Sequence, residues 1–95
     1  MSDVIDAAVA ALKEKVSGGF DAVAKFVING EGAIMLDADG VRAGDEEADV
    51  TLTADADVFQ AILSGDLNAT SAFMSGKLAV DGNMGLAMKL GSVLS

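Results

Sequence analysis

The 95-residue sequence has no cysteine, histidine, proline, tryptophan or tyrosine. Without cysteine there is no disulfide, thiolate nucleophile or zinc–thiolate site. Without histidine the commonest general base and metal ligand is missing. The serines fall mostly at helix caps and turns, so no nucleophile is paired with a base. The expectation is a protein that is not an enzyme and uses no cofactor and no metal. Positive charge is scarce: six basic residues against fifteen acidic ones give a net charge of -9. That balance opposes attraction to nucleic acid and to anionic bilayers, so nucleic acid is excluded as a partner and membrane contact is expected to be at most transient. Long hydrophobic runs are missing too. No stretch approaches the roughly 20 apolar residues of a membrane span, and the N-terminus lacks the basic and apolar regions of a secretory signal. The C-terminal Ser-Val-Leu-Ser is not a peroxisomal SKL-type address. A cytoplasmic, monomeric protein is expected. With no proline or low-complexity linker to divide it, the chain reads as one domain over 1–95.

What is present is apolar: 52% of the residues are hydrophobic and only 4% aromatic, so the interior is built from small and aliphatic side chains. Ile5, Ala8, Val9, Leu12 and Val16 recur at three- and four-residue intervals, which predicts an amphipathic helix over Asp3 to Val16. Asp3 and Asp6 suit its N-terminal end, Lys13 and Lys15 its last turn, and Ser17-Gly18-Gly19 is expected to stop it. From Phe20 the period changes to two. Ala24, Phe26 and Ile28 alternate with Lys25, Val27 and Asn29, a strand ending at the Asn29-Gly30 turn. Ala33 to Asp37 and Val41 to Gly44 follow as strands, then a solvated acidic loop at Asp45 to Glu47, then a strand in which Val50 and Leu52 face inward. The four read as a meander.

Asp55 is placed to cap a helix whose Val58, Phe59, Ile62 and Leu63 form one apolar stripe before Ser64-Gly65. Asp66 to Ala69 reads as a polar bridge, and Ala72, Phe73 and Met74 as another short helix. Gly76 fits just past that helix, Leu78 and Val80 alternate in a fifth strand, and Asn83 is placed to cap a last helix from Met84. That last helix is apolar nearly all round, which implies cover on more than one face.

Three motifs fail on their own residues. Asp37-x-Asp39-Gly40 resembles a calcium loop, but Val41 and Ala48 stand where that loop needs oxygen ligands. Gly82-Asn83-Met84-Gly85 spells an RNA-clamping GxxG without basic flanks. Asn68-Ala69-Thr70 spells a glycosylation sequon in a chain with no secretion signal.

The words AFMSGKL and DGNMGLAMKL, preceded in order by ADVTLT (Ala48 to Thr53) and VFQAILSG (Val58 to Gly65), resemble the sterol carrier protein type 2 lipid-binding domains. The resemblance runs from about Phe20 to Leu90. It implies an α+β fold: a five-stranded, mostly antiparallel sheet covered on one face by helices, with an apolar tunnel between the layers. It also implies non-enzymatic binding and transfer of fatty acid, fatty acyl-coenzyme A, phospholipid or sterol. The alternatives are an accessory or protein-interaction module and a substrate-presenting subunit of a lipid enzyme.

From periodicity Phe26, Ile28, Leu52, Phe59, Ile62, Phe73, Leu78, Met84, Met88 and Leu90 serve as the core of a small domain. The resemblance makes these and their apolar neighbours the lining of a lipid cavity: Phe26, Ile28, Ile34, Leu36 and Leu52 on the strands, Phe59, Ile62 and Leu63 on the next helix, Phe73, Met74 and Leu78 after it, and Met84, Leu86, Met88 and Leu90 on the last helix. Flexible thioethers suit a surface that repacks around varied ligands. An empty pocket of ~300 Å³ would forfeit about 7 kcal/mol at roughly 24 cal/mol per Å³, comparable with the ~5–14 kcal/mol of stability expected for this length. The energetics disfavour a dry, rigid, empty tunnel, so the expectation is a bound lipid, water, or a mobile element that collapses into the space. The last helix, tethered by one short turn and weakened by Gly85 and Gly91, is the expected gate.

Overall fold

The computed structural model describes residues 3–16 and 20–94. In order these form α1 (Asp3–Lys15), β1 (Ala24–Ile28), β2 (Gly32–Asp37), β3 (Gly40–Ala43), β4 (Val50–Ala54), α2 (Ala56–Ser64), α3 (Ala69–Met74), β5 (Leu78–Gly82) and α4 (Met84–Leu94). The expected stop at residues 17–19 lies outside the described residues. The five strands make one sheet in the order β3-β2-β1-β4-β5. Period-two alternation sets its inner face. Ile34, Phe26, Leu52 and Val80 stand opposite one another across the strands, as do Leu36, Ala24 and Val50. Those rows meet Ile5, Ala8 and Leu12 of α1, Phe59 and Ile62 of α2, and Ala87, Leu90 and Leu94 of α4 in a single core.

The expected four-strand meander is corrected. β4 does not pair with β3; it pairs in parallel with β1 on the far side, while the other pairings are antiparallel. Residues 44–49 therefore cross the outer face of the sheet. Their path is marked by Gly44 N donating to Ala33 O, by a 2.8 Å ion pair between Lys25 and Asp45, and by Glu46 N donating to the Met35 thioether at 3.5 Å. Met35, which alternation points away from the core, is fully buried by this crossing. At its end Asp49 anchors the crossing to Val23, its amide donating to Val23 O and its carboxylate accepting from Val23 N at 3.0 Å.

Local signals explain most boundaries. The Asn68 side chain accepts from Thr70 N and Ser71 N, so the sequon spelling serves as an N-cap for α3. Asn83 caps α4 through Leu86 N at 3.1 Å. Asp55 does not use its side chain as a cap; its carboxylate accepts instead from Asn29 Nδ2 at 2.9 Å. The Asp37 carboxylate accepts from Asp39 N and from Arg42, which hold its pKa below the usual carboxylate range, Arg42 contributing most.

Candidate functional site

Two apolar clefts open between the sheet and the helices. The first, about 390 Å³, lies between α1 and α2, with Val4, Ala7, Ala8 and Ala11 on one side, Ala56, Phe59 and Leu63 on the other, and Ile28 of β1. Asp3 and Gln60 are its polar residues. The second, about 220 Å³, is bounded by Leu52 of β4 and Leu78 and Val80 of β5, by Ala69, Thr70, Phe73 and Met74 of α3, and by Met84, Ala87, Met88 and Gly91 of α4. Thr70 is its one polar side chain.

One aromatic side chain stands between them. Phe26 meets the ring of Phe59, which lines the first cleft, edge to face at 5.3 Å. Across the sheet Phe26 is the partner of Leu52, which lines the second. Phe26 itself is fully buried.

The expected site residues fall into three groups. Ile28, Phe59 and Leu63 line the first cleft; Leu52, Phe73, Met74, Leu78, Met84 and Met88 line the second. Phe26, Ile34, Leu36, Ile62 and Leu90 are buried in the core, and Leu86 is packed partly buried against it; these six line neither cleft. As core residues, Phe73, Met84 and Met88 need correction: 40%, 47% and 74% of each is exposed. The expected cover of α4 on more than one face is likewise corrected. The helix buries Ala87, Leu90 and Leu94 and leaves its Met84–Met88 edge open.

Apolar-stripe reasoning missed the small residues. Ala7 and Ala11 of α1, and Ala87 and Gly91 of α4, are each spaced four apart on one helical face and leave the space that the clefts occupy. The signal in the sequence is the four-residue spacing of these small side chains, of which Ala7 is exposed and Ala87 buried. Neither cleft is lined by a lysine or arginine. Burial of an apolar body is thus the chemistry on offer, and among the described residues no cluster of acidic side chains forms a metal site.

Residues 4–95 match the model of the SCP-2 sterol transfer family. The chain is 47% identical over 66 residues to peroxisomal multifunctional enzyme A of Dictyostelium discoideum, covering 70% of this chain and 14% of that protein. It is 47% identical over 68 residues to sterol carrier protein 2 of Rattus norvegicus, covering 70% of this chain and 11% of that protein. It thus spans a small fraction of the length of these relatives. Among solved structures, that of a sterol carrier protein-2 from Aedes aegypti in complex with palmitate superposes with a TM-score of 0.79 at 26% identity, covering 100% of this chain and 97% of that one.

Proposed function

Given that the chain belongs to the SCP-2 sterol transfer family, we propose that it is a non-enzymatic carrier that binds one long-chain fatty acid or acyl ester between sheet and helices. The observation that carries this reading is the second cleft, whose walls are apolar but for Thr70. Each methylene buried there contributes about 0.8 kcal/mol. At about 220 Å³ the cleft is smaller than the ~300–1,000 Å³ of typical ligand pockets. Occupancy therefore requires a wall to move, and α4 is the wall that hangs from one turn at Gly82 and Asn83. We assign it the role of gate. A chain entering there reaches the first cleft by displacing the Phe26 ring, so the two clefts become the ends of one tunnel. Asp3 at the first cleft repels a carboxylate, which leaves the head group in water at the second. The palmitate complex of the Aedes aegypti relative supports a fatty acyl ligand.

A second reading, presentation of a lipid to a catalytic domain, is favoured by the match to a short stretch of a relative named as a multifunctional enzyme. The two readings share the binding step.

The test fills each cleft from a position where a side chain has room. A Cβ on Gly91 meets only Thr70 Oγ1, at 3.8 Å. Gly91→Leu is expected to occupy the second cleft and weaken binding of a fluorescent fatty acid at least about tenfold while leaving the fold intact, since leucine is the better helix former. Ala11→Leu in the first cleft is expected to weaken long chains more than short ones. Wild-type protein should bind one molecule with micromolar or better affinity. Failure of the delipidated wild type to bind, or equal binding by all three proteins, would overturn the proposal.

A further inference from the structure

We propose that the joint face of α3 and α4 is the surface on which the protein rests against a zwitterionic lipid bilayer, positioning the second cleft for exchange; the exchange step rests on the carrier reading above, whereas the docking does not. Among the described residues five large hydrophobic side chains are exposed, and four of them, Phe73 at 40%, Met74 at 79%, Met84 at 47% and Met88 at 74%, belong to this face. All four line the mouth of one cleft, so they form a single patch. Exposed apolar patches of this kind mark interaction sites. Unbranched thioethers insert adaptably at the headgroup–acyl boundary, where amphipathic helices lie.

Charge selects the occupant. Residues 1–66 carry four basic and fourteen acidic side chains, whereas residues 67–95 carry Lys77 and Lys89 against Asp81 alone. The apolar face thus belongs to the segment of least net charge, whose Lys89 is already paired with Asp21, and an anionic surface would repel the remainder. A bilayer without net charge accepts this face and imposes no such repulsion. A protein partner fits less well, because interface anchors are typically Trp, Tyr or Arg. The chain has no Trp or Tyr, and Arg42 is engaged by Asp37 and Glu46 on the outer side of the sheet.

The experiment is co-flotation of the full chain with phosphatidylcholine vesicles and with vesicles containing phosphatidylglycerol. The wild type is expected to float with the first and severalfold less with the second. Met74→Ser combined with Met88→Ser, both on exposed positions, should reduce flotation by about tenfold. Lys77→Glu and Lys13→Glu change net charge equally. Only the first, which places a carboxylate three residues after Met74 and so beside the docking face, should reduce flotation. Fatty-acid titration without vesicles runs in parallel. Binding without flotation overturns the docking and leaves the carrier reading intact; flotation without binding does the reverse. Equal flotation of the two lysine variants, stronger flotation with the anionic vesicles, or a dimer that ignores vesicles would also overturn the docking.

Discussion

Lys89 Nζ on α4 lies 2.7 Å from Asp21 Oδ2 and 5.5 Å from the centre of the Phe20 ring, tying the last helix to the segment that leads into β1. The hydrogen bond from Lys89, and then its charge, hold the Asp21 carboxyl below its usual pKa. A carboxyl lowered in the folded state contributes stability above the ordinary carboxylate range, near ~4, and loses it as pH falls through the lowered value. Asp21→Asn is therefore expected to melt slightly below the wild type at neutral pH, the pair being exposed. The two melting curves should converge as pH falls through the lowered Asp21 pKa. A melting difference that stays constant from neutral to acid pH would remove this tie from the account of α4.

Gly82 and Asp49 are in closer register. Gly82 has φ +99°, and a Cβ there would stand 2.5 Å from Asp49 O and 3.1 Å from Val50 Cα. Gly40 has φ +118° with nothing within 4 Å. Gly40→Ala is expected to cost only backbone strain, about 1–3 kcal/mol. Gly82→Ala adds about 1–3 kcal/mol of overpacking, and urea denaturation of the two variants measures the difference.

The two edges of α4 should respond differently to truncation. Leu90 is fully buried and Met88 is 74% exposed. Leu90→Ala is expected to cost about 2–5 kcal/mol, and Met88→Ala no more than about 0.5 kcal/mol. It follows that deleting everything after Gly82 would open the core rather than leave an intact sheet. Equal losses at Leu90 and Met88 would contradict the orientation of the helix.

If α4 is the gate, its amides should exchange faster than those of β1 and β4 in the delipidated protein and slow on addition of palmitate, because local opening draws on the least stable elements. Palmitate at about 100 times its Kd should add roughly 2.7 kcal/mol of stability. Exchange along α4 that is slow and indifferent to palmitate would rule out gating.

Phe59 illustrates how far stripe reasoning carries. Its place beside Ile62 and Leu63 on α2 was legible, but not that its ring would pack on Phe26 with only 3% exposure. An aspartate there would bury a charge in the core, so it does not serve as a folded binding-defective variant. The clefts were less legible still. They are made by what is missing at Ala7, Ala11, Ala87 and Gly91, and the width left by a small side chain depends on how far away the facing element stands.

The sequence by itself determined the order of the nine elements among the described residues, the inward row of Ala24, Phe26 and Ile28, and the asparagine cap of α4. These follow from side-chain period and from hydrogen bonds within a few residues, which are local properties. Only the tertiary structure decided that β4 lies parallel to β1, that residues 44–49 bury Met35 on the outer face, and which edge of α4 faces water. Strand partners are chosen by contacts between residues far apart in the chain. Alternation along a strand names its two faces without saying what will cover either one.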